Sequence, residues 1–236
     1  MTSIDAIINR QLLKWELERR RASEELHPPI VEPQHIITVS RQTGSRGSYL
    51  VRLLAERLGF QRLDREVIDT MSKESGYYRR LIESLDEHTR SRLHLAVDAA
   101  FSGQMVDHTD YNEYLCKAVL SMAELGGVIL MGRGGNFILG PNKGFHIRVV
   151  CPDSIRIENL CHFKAMAPRD AKHLIEKSDR ERHDFIQKVY RKNIDDPMHY
   201  DLVLNTGLID LERLVDLVEM AFNAKMASLR TRMQPK

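Results

Sequence analysis

The feature that most constrains the fold is the segment 35–58, which reads HIITVSRQTGSRGSYLVRLLAERL. A β-branched apolar run ends at Ser40, a loop of small residues and arginine follows, and leucines then recur at helical spacing. A strand, a small-residue loop and a helix in this order can bind a phosphate, because the loop amides and the positive end of the helix dipole face the anion. We therefore expect an anion-binding loop at residues 44–48.

That loop lacks the lysine of the usual phosphate-binding pattern, G-x-x-x-x-G-K-[ST]. In that pattern the lysine reaches the β- and γ-phosphates, and the hydroxyl of the last residue binds magnesium. Residues 44–48 read GSRGS, so Gly44, Ser45 and Gly47 offer their backbone and Ser48 offers the hydroxyl. Arg46, or another cation, must then provide the charge that the lysine provides elsewhere.

Composition and charge argue against several classes of function. The chain has 236 residues, of which 42% are hydrophobic, so it can form one α/β domain with inserts or two small domains. A net charge of +2 gives no electrostatic argument for nucleic acid or an anionic membrane as a partner. No apolar run approaches the ~20 residues of a membrane span, and the N-terminus lacks the apolar core of a secretory signal. We expect a cytoplasmic protein.

The first 33 residues are expected to form a helical extension and a linker. Ile8, Leu12 and Trp15 recur at the spacing of one helix face, and the segment HPPIVEP at 27–33 then ends the helix. We expect this apolar stripe to pack against the main body or against a second subunit, which would form a homodimer. A helix lying on a membrane surface is the weaker alternative, because its glutamates oppose anionic lipid.

Strand-like and helical segments alternate along the rest of the chain. Strands are predicted at 35–40, 60–64, 127–131, 145–151 and 200–205, and helices at 48–58, 153–166, 168–192 and 211–226. The segment 65–125 is predicted to be helical, with breaks near Gly76 and Gly103. This alternation predicts a parallel sheet with right-handed crossovers and helices on its faces.

Charged residues recur where the predicted strands end. Arg41 and Arg46 follow the first strand, Asp64 ends the second and Arg133 follows the third. These side chains should converge, because ligands of open parallel sheets bind at the carboxyl ends of the strands. Phosphoryl transfer needs positive groups around a spreading negative charge, which the three arginines can supply. Asp64 could orient a substrate hydroxyl or hold a magnesium-bound water, and capping the next helix is its alternative role.

A second set of cations, Lys177, Arg180 and Arg182, lies on the predicted helix 168–192. A mobile arm that brings arginines over phosphates is a common way of closing an active site. The alternative is a solvent-exposed helix with ion pairs along its surface, such as Glu176 with Arg180. The pattern alone does not decide between the two.

Five segments, in order and with fitting spacing, resemble one known family: ITVSRQTGSRG, LDREVID, VILMGRGGNFIL, IEKSDRERHDF and YDLVLNT. Together they resemble the cytidylate-kinase-like branch of the nucleoside monophosphate kinases over about residues 35–228. The resemblance implies a P-loop NTPase fold for residues 34–236, with a five-stranded parallel sheet flanked by helices. It also implies a helical nucleotide-binding insert at about 65–110 and a lid at about 152–197. The implied activity transfers the γ-phosphoryl group of ATP to CMP or dCMP with Mg²⁺.

The pattern of loop and strand-end residues, together with the resemblance, predicts roles for particular residues. The residues expected to bind the donor nucleotide are Arg41, Gly44, Ser45, Gly47 and Ser48. Mg²⁺ is expected to bind to Ser48 and Asp64. The residues expected to bind the acceptor are Arg133, Lys177 and Arg182. The residues expected to take part in catalysis are Arg46, Asp64, Arg133 and Arg180.

This chain departs from true cytidylate kinases at several positions of the matched segments. The branch that it resembles also lacks the loop lysine, but it commonly has glycine and arginine where this chain has Arg46 and Ser48. Gly47 stands where cytidylate kinases have the loop lysine, Gly134 replaces an aspartate that contacts the acceptor nucleoside, and Asp184 replaces the last lid arginine. The alternative is therefore a nucleotide-binding regulatory or scaffold protein with little or no kinase activity. A kinase that acts on a different small molecule is the third reading.

Overall fold

The computed structural model describes residues 35–73, 87–102 and 109–233, and in addition Ala6 and Leu13. The predicted extension over 1–33, with its apolar stripe and the homodimer that it would form, lies outside these ranges. So do the predicted breaks near Gly76 and Gly103, which fall within the predicted insert. These expectations, and the division into insert and lid, stay predictions.

Five strands form one parallel sheet with the order β2-β3-β1-β4-β5. The strands are β1 (Ile36–Arg41), β2 (Gln61–Leu63), β3 (Val128–Met131), β4 (Phe145–Val150) and β5 (Leu202–Asn205). All four residues of β3 are buried, as expected of a parallel strand covered on both faces. The predicted five-stranded parallel sheet is confirmed. Its order puts β1 between β3 and β4, so the loops after these three strands meet at one edge.

Eight α-helices connect and flank these strands in the described part of the chain. They are α1 (Gly47–Leu58), α2 (Arg65–Lys73), α3 (Glu87–Ser102), α4 (Asp110–Leu125), α5 (Gly135–Leu139), α6 (Asp153–Lys164), α7 (Pro168–Tyr190) and α8 (Leu211–Met233). A short 3-10 helix spans Pro197–His199. The helix α5 was not expected, because five residues are too few to show a helical period. The helix α8 continues beyond its predicted end at residue 226.

The core lies in two layers, one on each face of the sheet. On one face Leu54 of α1 packs with Leu214 and Phe222 of α8. On the other face Leu115 and Met122 of α4 pack with residues of α2, α3, α5 and the end of α7. Each of these side chains is almost fully buried, which stabilises the fold by about 1.5–3 kcal/mol per side chain. Among the described residues, no helix has both the length and the apolarity needed to cross a membrane.

The helices α6 and α7 have a small core of their own, formed by Leu160, Ala171 and Ile175. The last turns of α7 instead join the main core through Ile186 and Tyr190. The pair is therefore anchored to the body at the end of α7, and side chains of both helices contact the loop between β1 and α1.

Candidate functional site

The loop between β1 and α1 has the geometry of an anion-binding turn. Gly44 and Arg46 both have positive φ angles, of 80° and 57°. The Ser45 hydroxyl donates to the Gln42 carbonyl at 2.8 Å and accepts from the Gly47 amide at 3.3 Å. The Thr206 hydroxyl, which lies just after β5, donates to the Ser45 carbonyl at 2.6 Å. The sequence therefore folds this segment into a closed turn that begins α1.

Several amides of this turn are available to a ligand. Among the described residues, no acceptor satisfies the backbone N–H groups of Gly44, Arg46 and Ser48. These groups lie at the N-terminus of the twelve-residue helix α1, whose dipole adds positive potential there. Unpaired amides and a helix N-terminus together favour a bound phosphate. This donor set fits the phosphate groups of a nucleotide.

The first half of the loop is held by charged residues of α6 and α7. All three polar groups of Thr43 are bound: its amide donates to Asp179 Oδ1 at 3.1 Å, its carbonyl accepts from Arg156 Nε at 2.7 Å, and its hydroxyl accepts from Arg182. The Gly44 carbonyl accepts from Asn159 Nδ2 at 2.9 Å. The shape of the loop therefore depends on two helices that are far away in the sequence.

Asp179 is the centre of this network. It forms ion pairs with Arg156 and Arg182 in addition to accepting from the Thr43 amide. Burial alone raises the pKa of the Asp179 carboxyl group, but the Thr43 amide and the two arginines outweigh burial and hold the pKa below its usual value. Asp179 therefore stays ionised at neutral pH and fixes α7 to the loop.

Two cavities open at the carboxyl ends of the strands and share one wall. The loop-side cavity has a volume of about 560 Å³ and is lined by the loop together with Asn159, Leu160 and Phe163 of α6. The strand-side cavity has a volume of about 370 Å³ and lies below the end of β3, beside Arg133 and Phe185. Arg41 and Arg182 line both cavities. These two arginines therefore stand at the junction between the two spaces.

Arg41, the last residue of β1, donates from Nε to the Ser48 hydroxyl at 3.1 Å. Burial lowers the pKa of the Arg41 guanidinium most, and the neighbouring charge of Arg182 lowers the pKa further. The carboxylates of Asp64 and Glu66 raise the pKa, but they do not compensate fully. A partly desolvated cation beside another cation favours an anion between them.

Arg133 lines the strand-side cavity and is held in a fixed position. Its Nε donates to Asp69 Oδ1 at 2.5 Å, and its Nη2 binds the other oxygen of the same carboxylate. The Tyr111 hydroxyl donates to Asp69 at 2.7 Å, and the Phe185 ring lies 4.9 Å from the guanidinium carbon. Burial lowers the pKa of Arg133, but the bond to Asp69 outweighs burial and raises the pKa overall. The bidentate pair leaves the Nη1 edge of Arg133 for a ligand.

The structure also explains why position 134 is glycine. Gly134 has a φ angle of 67°, and a Cβ atom there would overlap the ring of Tyr190. The Tyr190 hydroxyl donates to the Arg133 carbonyl at 2.6 Å. The space that the aspartate side chain of true cytidylate kinases would need is therefore filled by Tyr190, the last residue of α7.

Several predicted site residues lie away from the junction of the cavities. Arg46 is exposed at the rim of the loop-side cavity, with its guanidinium 5.4 Å from the rings of both Tyr49 and Phe163. Lys177 and Arg180 are exposed on α7 and line neither cavity, because the face that meets the loop carries Asp179 and Arg182 instead.

Asp64 also lies outside the lining of both cavities. Its Oδ1 is 3.2 Å from Arg62 Nε, in a geometry that makes no hydrogen bond. Within the described ranges, no group of three or more His, Cys, Asp or Glu side chains could hold a metal. Mg²⁺ in phosphoryl-transfer sites needs only one or two carboxylates besides the substrate phosphates. Ser48 and Asp64 remain its predicted ligands.

Sequence reasoning missed several residues of the site, among them Asp69, Arg156 and Asn159. Arg156 and Asn159 follow the carboxyl end of β4 closely, where ligands of parallel sheets bind, and this position is the signal that could have identified them. Asp69 has no such signal, because its partner Arg133 is 64 positions away.

The five-stranded parallel sheet flanked by helices and the anion-binding type of loop after β1 are those of a P-loop NTPase fold. Residues 36–208 match the model of the cytidylate kinase-like family. The match covers most of the chain, and the chain belongs to this family.

Other comparisons are weaker or partial. A curated uronate isomerase from Corynebacterium glutamicum strain ATCC 13032 is 30% identical over 129 residues, which are 54% of this chain and 25% of that protein. This chain thus spans about a quarter of the length of that relative. An uncharacterized protein from Eubacterium ventriosum ATCC 27560 superposes with a TM-score of 0.56 at 15% identity, over 81% of this chain and 99% of that chain. That likeness concerns the fold alone.

A gluconokinase from Sinorhizobium meliloti 1021 superposes at 14% identity over 86% of this chain and 97% of that chain. Its TM-score of 0.44 is too low to bear on fold or function.

Proposed function

We propose that the protein transfers the γ-phosphoryl group of ATP to a nucleoside monophosphate, with CMP or dCMP as the acceptor. The observation that carries this proposal is the pair of cavities that share Arg41 and Arg182. A phosphoryl donor and an acceptor must meet in line, so a kinase needs two adjoining spaces with cations where they join. Membership of the cytidylate kinase-like family supports the same class of reaction.

The donor would occupy the loop-side cavity. The unpaired amides of Gly44, Arg46 and Ser48 would bind its phosphates, and Phe163 offers an apolar surface beside the loop. ATP with Mg²⁺ supplies the transferable group and partial neutralisation of its charge. The residues of this chain supply position, amides and positive charge, which is most of what phosphoryl transfer asks of a protein.

The acceptor would occupy the strand-side cavity, with its phosphate on the free edge of Arg133. An oxygen of this phosphate forms a bond to the γ-phosphorus of ATP, and the bond from that phosphorus to the β–γ bridging oxygen breaks. ADP leaves with the electron pair, and no proton moves when the acceptor phosphate is a dianion. The choice of cytosine rests on the family, because Gly134 removes one contact to the nucleoside.

A coupled assay with ATP, Mg²⁺ and a panel of nucleoside monophosphates tests the proposal. We expect ADP release that depends on the acceptor, with CMP and dCMP as the best substrates. Transfer to a different monophosphate would support the proposed reaction but show that the acceptor is not CMP or dCMP. Tight binding of ATP without transfer to any acceptor would contradict the proposal.

The second candidate function is a nucleotide-binding regulatory protein. It is favoured by the ion pairs of Arg133 with Asp69 and of Arg182 with Asp179, since both arginines already have anionic partners. Such a protein would bind ATP in the loop-side cavity and change the docking of α7 without turnover. The same assay, combined with a binding measurement, separates the two functions.

A further inference from the structure

The absence of the loop lysine has a steric cause. When Gly47 is aligned with the lysine of the pattern G-x-x-x-x-G-K-[ST], the first glycine of that pattern falls at position 41. Here position 41 is arginine and position 47 is glycine. A Cβ atom at Gly47 would lie 2.9 Å from the Cβ of Arg41 and 3.3 Å from Cγ1 of Val149. The Cβ atom of Arg41 therefore leaves no room for a side chain at position 47, where the lysine usually stands. The positively charged residue in this chain is Arg41 at the end of β1 and not a lysine at the start of α1.

The Arg41 side chain extends from the loop to the far side of the junction. Its Nε contacts the Ser48 hydroxyl at 3.1 Å. Its Nη1 lies 3.9 Å from the place of a Cβ at Gly132, the residue before Arg133. The guanidinium thus spans from the turn that would hold the donor to the strand end that would hold the acceptor. This is where the transferring group must lie.

The charge of Arg41 is also more available than the charges around it. Four nearby arginines form ion pairs with carboxylates: Arg133, Arg148, Arg156 and Arg182. Among the described residues, no carboxylate forms an ion pair with Arg41, whose one side-chain hydrogen bond goes to a neutral hydroxyl. Arg46 is uncompensated as well, but it is exposed at the rim and faces two aromatic rings.

We propose that Arg41 replaces the missing loop lysine: its guanidinium binds the γ-phosphoryl group at the junction of the two cavities and stabilises the charge that develops during transfer. This inference rests on the proposed function, in which ATP is the donor. The planar guanidinium can bind two phosphate oxygens at once, which a lysine cannot do. The sequence pattern indicates Arg46 as the residue that supplies the charge of the missing lysine, whereas Arg41 has that function in this proposal.

The test compares the affinities of ATP and ADP, which differ by the γ-phosphate, in full-length variants by isothermal titration calorimetry. Arg41→Gln and Arg41→Lys both keep a stem against Gly47, so the loop should keep its shape. We expect Arg41→Gln to weaken ATP binding about ten- to a hundredfold and ADP binding much less. Arg41→Lys should fall in between, and Arg46→Ala should weaken ATP binding less than Arg41→Gln does. Arg57→Ala, which removes an arginine at the far end of α1, is the matched control and should change neither affinity.

The double variant Arg41→Gly with Gly47→Lys provides an independent test, because it restores the first glycine and the lysine of that pattern. We expect it to recover the preference for ATP over ADP that Arg41→Gln loses. Equal losses of ATP and ADP affinity in Arg41→Gln, or no loss of either, would overturn the inference. The binding measurement needs no acceptor nucleotide, so it tests the role of Arg41 separately from phosphoryl transfer. If the wild-type protein binds ATP through Arg41 but transfers no phosphoryl group, only the proposed function is contradicted.

Discussion

At the scale of single residues, Arg133 combines a strained backbone conformation with an ion pair to Asp69 that fixes its side chain. Arg133 has a φ angle of 53°, a conformation that costs a non-glycine residue about 1–2 kcal/mol. It persists because Asp69 holds the side chain and Tyr190 holds the carbonyl. Strain that the surroundings enforce in this way is typical of functional sites.

Asp69 is expected to position Arg133 for the acceptor phosphate. Asp69→Asn removes the charge that fixes Nε and Nη2, so the guanidinium should lose its orientation. We expect monophosphate affinity to fall about tenfold and ATP affinity to stay the same, as measured by calorimetry. Asp216→Asn, which removes a surface partner of Arg57, controls for the loss of a carboxylate. An increase in monophosphate affinity would mean that Asp69 competes with the acceptor instead.

Gly134 is expected to be intolerant of any side chain. Gly134→Ala combines the cost of a positive φ angle with overlap against the Tyr190 ring, so it should lower the free energy of unfolding by about 2–4 kcal/mol. Gly59→Ala is the matched control, because Gly59 has a similar φ angle of 65° and no atom within 4 Å of its Cβ position. It should cost about 1–2 kcal/mol in urea denaturation. Equal losses of unfolding free energy in the two variants would show that the Tyr190 ring moves aside for the methyl group without a measurable cost.

The position of a residue in the fold could be predicted from the sequence where that residue follows a buried strand. Arg41 and Arg133 could be placed at the strand ends because the apolar runs before them are distinct. The partners of these residues could not be placed, because pairs such as Thr43 with Asp179 join positions 136 apart. Contacts of this kind arise only from how the helices pack.

At the scale of elements, the strands and most helices follow from the alternation of apolar runs and helical periods. The boundaries differ by a few residues, as at β5, where the predicted strand begins at Tyr200 and the observed one at Leu202. The orientation of α7 was not predictable. Its charged residues occur on several faces, and only packing against α6 decides that Asp179 and Arg182 meet the loop.

The docking of α7 on the loop should weaken in acid. The pKa of Asp179 is lower in the folded protein than in the unfolded chain, where it is about 3.9. The stabilisation by Asp179 is therefore complete above the unfolded pKa and disappears as the pH falls through the folded pKa. We expect the unfolding free energies of wild type and Asp179→Asn to differ at pH 6, and the difference to shrink as the pH falls below about 4 towards the folded pKa of Asp179. A difference that is constant over this range would mean that Asp179 acts through packing alone.

At the scale of the whole molecule, the core of the described residues begins with β1 and ends within α8. Every buried residue of the three core clusters lies between Ile36 and Met226. The family match begins at residue 36 as well. The apolar stripe of Ile8, Leu12 and Trp15 in the extension is predicted to pack against the main body or against a second subunit.

Deletion of residues 1–33 tests this prediction. We expect the shortened chain to unfold cooperatively and to bind ATP with unchanged affinity, because the loop and both cavities lie in the part that remains. If the stripe joins two subunits, light scattering after size exclusion should give a dimer for the full chain and a monomer for the deletion. The substitution Leu12→Asp, with Trp15→Asp as a second variant, should have the same effect on mass. A dimer that survives these changes would place the subunit contact on the kinase-like body, and a deleted chain that fails to fold would place the stripe against that body.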